Sequence, residues 1–125
     1  MDERQQRRVA ENQARFRAMN EQARRAVDAF EPDTDHYSMM CECALTECDE
    51  MIEVSRTEYD EVRSNPGWFL VLPDHYLPGA EAIIDRTDSR WIVELRGAGR
   101  DVASDSYTTQ DGAPRGTDPT PDDRP

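Results

Sequence analysis

The sequence predicts an α+β fold: a long N-terminal helix, then a small domain with one short helix and an antiparallel sheet of 3-4 strands. Three observations lead there. Residues 3–30 contain no Gly or Pro and are rich in Ala, Arg, Gln and Glu, all good helix formers. Between residues 51 and 96, short apolar runs alternate with turn residues, the pattern of paired strands. All three cysteines, Cys41, Cys43 and Cys48, fall within eight positions. With 125 residues, 36% of them apolar, the chain is one domain at most.

In chain order, residues 1–30 form an amphipathic helix about 40 Å long at 1.5 Å per residue. Val9, Phe16, Met19, Ala23, Ala26 and Phe30 trace an apolar stripe in steps of seven, three and four, with Asn12 at one inward position. Its expected role is to pack its C-terminal half on the domain and leave its N-terminal half in solvent. A two-chain coiled coil is the alternative. Residues 31–38, "EPDTDHYS", read as a linker with Pro32 as the helix stop. The domain proper spans 39–96. "MIEV" at 51–54 is a short strand, and Ser55 opens a helix. Ser55 and Glu58 form a capping box, with Val54 and Tyr59 as its hydrophobic staple. That helix ends before Asn65-Pro66-Gly67. "WFLVL" at 68–72 is apolar on both faces and reads as a central strand. Two further strands, "AEAIID" and "WIVELR", flank a turn at Asp88 and Ser89. Residues 97–125 are poor in apolar side chains and hold four prolines after residue 113, so they read as a disordered acidic tail.

The formal net charge is −12 and is unevenly spread. Residues 1–30 carry seven Arg against five acids, whereas residues 31–96 carry five Arg against sixteen. An acidic domain repels nucleic acid, so a nucleic-acid partner is expected only through Arg4, Arg7, Arg8, Arg15, Arg17, Arg24 and Arg25 of the first helix. The start of the chain lacks an apolar stretch, and the longest apolar run is too short for a bilayer. The expected compartment is the cytoplasm.

Cys41, Cys43 and Cys48 give C-x-C-x4-C. Structural zinc takes four tetrahedral ligands from Cys and His, so a fourth ligand is needed. The chain offers two histidines, His36 and His75. His75 lies in "PDHYLPG", a loop constrained by Pro73 and Pro78, and would close the longer loop; His36 lies in the linker. The expected zinc set is Cys41, Cys43, Cys48 and His75, with His36, Asp74 or Asp49 as alternatives for the fourth position. A folded region of about sixty residues is marginal without such a staple. Acidic neighbours disfavour free thiolates and argue against a redox switch. If His75 did not bind, Glu42 or Glu47 would be candidate bases of a zinc hydrolase.

The stretch "CECALTEC…IEVSRTEYDEVRSNPGWFLVLPDHYLPGAEAIIDRTDSRWIVELR", preceded by "AENQARFRAMNE", resembles a group of small uncharacterised actinobacterial proteins. They combine C-x-C-x4-C, an E-Y-x-x-V-R helix, a P-G-H loop and a C-terminal strand hairpin. The resemblance covers about residues 8–96 and implies Cys41, Cys43, Cys48 and His75 as the metal set. This chain departs from the pattern at Asp74, where the loop usually has Gly. The group has no assigned activity. The expected function is therefore a zinc-stabilised protein-interaction or adaptor module rather than an enzyme. Its partner is an unknown protein, or a second copy meeting the N-terminal helix. Trp68, Phe69, Tyr76 and Trp91 are candidate aromatic anchors, and core packing is their alternative role. A nucleic-acid-associated regulator and a thiol redox sensor are the other functional readings.

Overall fold

A computed structural model describes residues 2–43, 45 and 47–111. It has a long N-terminal helix, a short helix and antiparallel sheets of two and three strands. Helix α1 runs Glu3–Phe30, and its start is set by Asp2, whose side chain accepts from the Gln5 N–H while Gln5 reaches back to the Asp2 N–H. Strand β1 (His36–Met40) pairs antiparallel with β2 (Met51–Ser55), placing Tyr37 opposite Val54 and Met39 opposite Ile52. Helix α2 (Arg56–Arg63) begins at the Ser55–Glu58 capping box that its sequence predicts. Strands β3 (Trp68–Val71), β4 (Glu81–Arg86) and β5 (Trp91–Leu95) form the second sheet in the order β3-β5-β4. Helix α3 (Ala98–Asp111) follows.

Four expectations are corrected. The linker is shorter than residues 31–38, because β1 begins at His36. Tyr37 and Met39 alternate inward there, and the Tyr37 ring meets Tyr59 edge-on at 5.5 Å. Residues 98–111 are helical rather than disordered; residues 112–125 of the expected tail lie outside the described residues. Helix α3 needs few large side chains because it packs close to α1. A Cβ on Gly99 would stand 3.0 Å from the Gln6 carbonyl oxygen and 3.3 Å from the Ala10 Cβ. Ala103 is fully buried.

The third correction concerns β3, which is not the central strand. β5 holds that place. β3 is nevertheless buried on both faces, and its outer edge is met by Glu42: the Glu42 N–H donates to the Leu70 carbonyl at 2.7 Å, and the Leu70 N–H donates to the Glu42 carboxylate at 3.0 Å. The N–H and the carboxylate of one residue here take the place of a neighbouring strand. The Cys41 N–H also donates to the Glu50 carbonyl, extending the β1–β2 ladder by one step. Residues 41 and 42 thus join the two sheets.

The fourth correction concerns α1, whose N-terminal half packs on the domain instead of standing in solvent. Its buried face is not the apolar stripe. Ala10, Gln13, Ala14, Arg17, Asn20 and Glu21 point inward, while Met19 and Phe30 are 46% and 86% exposed. The inward residues keep a helical spacing, but most are polar, and each finds partners inside. Gln13 donates to the Glu42 carbonyl and the Glu81 carboxylate. Arg17 donates to the carbonyls of Pro66 and Ala103 and lies over the Phe69 ring. Glu21 accepts from Tyr59 and Arg24. Buried polar groups are tolerated when paired in this way. Along this face the N-terminal half of α1 is as integral as the C-terminal half, since Gln6 accepts from the Ala98 N–H.

Candidate metal centre

The centre is assembled from two segments. The first leaves β1 at Met40 and presents Cys41 and Cys43 on either side of Glu42. A residue between two cysteines points away from them in an extended chain, and Glu42 points into the protein. Its carboxylate is fully buried and accepts four donors: both terminal nitrogens of Arg63, at 3.0 and 2.7 Å, the Asn20 amide at 2.7 Å, and the Leu70 N–H. Burial alone would lower the Arg63 pKa, and the Glu42 carboxylate together with Tyr59 and Glu21 more than offsets it, so the guanidinium stays charged. The Asn20 amide also bridges the Met40 main chain, donating to its carbonyl and accepting from its N–H. The C-x-C segment is therefore held by α1, α2 and β3 together. Glu42 was a candidate base from sequence; with every oxygen engaged on the far side of the cysteines, it is a brace for them.

Cys48 closes the same segment through a turn in which its N–H donates to the Leu45 carbonyl at 3.0 Å. His75 arrives from the loop after β3. Its N–H donates to the Leu72 carbonyl at 3.1 Å, closing a turn with Pro73 and Asp74 at the corners. Asp74 has φ 70, the left-handed conformation that the second corner of a type II turn requires. Glycine takes that conformation without steric cost, and aspartate is among the few other residues found there. The loop thus keeps the backbone that glycine favours although the residue is Asp74. Its far end is fixed by Glu81, whose carboxylate accepts from the Leu77 N–H and from Gln13. Burial raises the Glu81 pKa above the usual carboxylate value.

The structure brings Cys41, Cys43, Cys48 and His75 together. One ligand atom from each lies within 4.8 Å of all the others, a group that could hold a metal ion. The His75 Nδ1 is 3.5 Å from the Cys41 sulfur and 3.6 Å from the Cys48 sulfur. The other proposed fourth ligands are not among this group, and His36 is exposed at the start of β1. Cys41 and Cys43 are 2% and 1% exposed, and Cys48 is half-buried.

The thiols strongly influence one another. Hydrogen bonding from Cys41 is the main cause that pulls the Cys43 thiol down, to about 5. The same pairing, followed by burial, pushes Cys41 far up, although the Leu72 N–H donates to its sulfur at 3.2 Å. Burial raises Cys48. One thiolate forms readily in this cluster, and its charge opposes the others. A bound cation would relieve that opposition and let all three ionise.

On its outer side the centre opens into a surface cleft of about 340 Å³ lined by Leu45, Glu47, Cys48, Asp49, Glu50 and His75. The candidate anchors divide: Phe69 is buried core, Trp68 donates from its indole N–H to Glu94, and Tyr76 packs beside Trp91 next to the His75 loop. No family model matches this chain, and neither the curated proteins nor the solved structures contain a match.

Sequence reasoning missed the brace. Asn20, Gln13 and Arg63 position the ligand segment, yet they lie 20 or more residues from the cysteines they serve. The available signal was the helical spacing of Gln13, Arg17 and Asn20 with two alanines on one face of α1.

Proposed function

We propose that the chain is a small zinc-bound protein-interaction module in which the metal is structural. One observation carries the reading: three sulfurs and one imidazole nitrogen lie within 4.8 Å of one another, with two S···N distances that match a tetrahedral zinc site. Zinc–sulfur bonds of about 2.3 Å and zinc–nitrogen bonds of about 2.0–2.1 Å give tetrahedral S···N edges of about 3.5–3.6 Å. The two S···N distances are 3.5 and 3.6 Å. Four protein ligands leave no position for a reactive water, and three thiolates weaken the metal as a Lewis acid. Glu42, engaged by Arg63 and Asn20, is not placed to serve as a base.

The module's expected partner is a protein. Net charge −12 disfavours phosphate backbones. Of the arginines that could form a nucleic-acid arm, Arg17 is buried against main-chain carbonyls and Arg24 is paired with Glu21 and Asp60. Met19, Ala23, Ala26 and Phe30 form an exposed edge of α1 that suits another protein or a second copy. Reduced thiols ready for metal fit the cytoplasm. In addition, no helix among the described residues is long and apolar enough to cross a membrane.

X-ray absorption at the zinc edge of the loaded protein tests the structural role. Three sulfurs and one nitrogen are expected. A first shell containing an oxygen ligand would overturn the structural assignment and favour hydrolytic chemistry.

A further inference from the structure

The three sulfurs are unequal in access. Cys41 and Cys43 are 2% and 1% exposed, and the segment that carries them is sealed by α1, α2 and β3. Cys48 is half-buried and lines the surface cleft together with His75. We propose that Cys48 is the reactive ligand of the centre, the one at which a small neutral oxidant of the peroxide class enters and opens it. The inference rests on the metal-binding reading, because coordination keeps the Cys48 sulfur in its nucleophilic, deprotonated form at neutral pH.

The cleft also selects by charge. Glu47, Asp49 and Glu50 line it and are exposed, and among the described residues no Arg does. A neutral peroxide meets no electrostatic barrier there, whereas an anionic reagent is repelled by a potential that salt screens. Acidic surroundings therefore do not protect the sulfur once a metal has removed its proton. They narrow the kind of molecule that reaches it.

The chemistry balances with peroxide alone. The Cys48 sulfur attacks one peroxide oxygen; the S–O bond forms as the O–O bond breaks, and the departing hydroxide takes a proton from solvent to leave as water. Cys48 is then a sulfenic acid. A second thiolate, Cys41 or Cys43, lies within 4.8 Å of it. That thiolate attacks the Cys48 sulfur, the S–S bond forms as the S–O bond breaks, and a second hydroxide leaves as water after protonation. Two thiolates have lost two electrons to one peroxide. With two ligands consumed, the metal is released.

The test uses the metal-loaded full chain and needs no variant. Metal content is first measured. The protein is then treated with limiting iodoacetamide or iodoacetate, two alkylating reagents of similar size that differ in charge, and the labelled cysteines are mapped by mass spectrometry. Rates are divided by those of the same reagents on the unfolded chain. Cys48 should be labelled first, with iodoacetamide favoured roughly tenfold at low salt and the preference shrinking as salt is added. Hydrogen peroxide should release one metal per disulfide formed, with Cys48 in that disulfide. Labelling of Cys41 or Cys43 before Cys48, a disulfide that omits Cys48, or equal rates for the two reagents at low salt would overturn the inference. A chain that carries no metal from the start contradicts the proposed function on which this inference rests, whereas a metal-loaded chain labelled in another order contradicts this inference alone.

Discussion

Cys41 and Cys43 sit in a segment gripped from three sides, while Cys48 and His75 come from loops at the edge of an open cleft. The first pair is positioned by contacts that do not involve a metal: the Glu42–Arg63 ion pair, the Asn20 bridge to Met40, and the main-chain pairing with Leu70. The second pair depends on two local turns, each closed by one main-chain hydrogen bond. Half of the centre is thus organised by the fold, and the other half is the part that a metal would fasten. The difference separates two quantities that small metal domains usually merge, stability of the chain and affinity for the ion.

The largest effect is expected on the buried side. Arg63→Met leaves the Glu42 carboxylate buried without its cation, and loss of one partner of such a pair costs about 3–5 kcal/mol. Urea unfolding should show that loss with and without a chelator present, because the ion pair belongs to the fold. The outer side should behave oppositely. His75→Ala should weaken metal binding by more than about 100-fold, beyond what changes behind the ligands produce. Competition with a chromophoric chelator measures this. The metal-free unfolding midpoint should hardly move, and His36→Ala should alter neither quantity by more than about 0.5 kcal/mol.

Two smaller effects are expected away from the metal. The Glu58 carboxyl is held below the usual carboxylate range, first by the Ser55 main chain at the head of α2 and then by Arg90. A lowered folded-state pKa means stability that is present above the unfolded value of about 4.3 and is lost as pH falls through the folded value. Glu58→Gln should remove that acid-side slope. Because Glu58 is 38% exposed, the loss at neutral pH should be under about 1 kcal/mol. Asp74→Gly should raise the melting temperature slightly, corresponding to about 0.5 kcal/mol, since glycine relieves the left-handed backbone at the corner of the His75 loop.

The legible parts of the molecule were the local ones. Ser55 and Glu58 are three residues apart and act within one helical turn, so their capping box could be read directly. Cys41, Cys43 and Cys48 declare themselves by spacing, and the constrained Pro73–Pro78 loop pointed to His75. What sequence did not reveal depends on distant partners. Gln13 is buried because Glu81, 68 residues away, accepts its hydrogen bond, and Arg17 because the Ala103 carbonyl, 86 residues away, accepts another. A hydrophobic pattern assigns such residues to solvent. It therefore placed the inward face of α1 on Met19 and Phe30, which are exposed. Helix α3 escaped for a related reason: close approach at Gly99 and Ala103 helps to hold it, and a hydrophobic pattern does not mark such small residues. Glu42 was seen as one acid among acidic neighbours, because nothing local shows that Arg63 and Asn20 converge on it.

The proposed function requires that Cys41, Cys43, Cys48 and His75 hold one zinc ion per chain. Native mass spectrometry of the protein as purified, without added metal or chelator, tests it most directly. A mass increment of one zinc per chain is expected, absent from Cys43→Ser. A folded wild-type chain that carries no metal, and that takes up none when zinc is supplied, would contradict it.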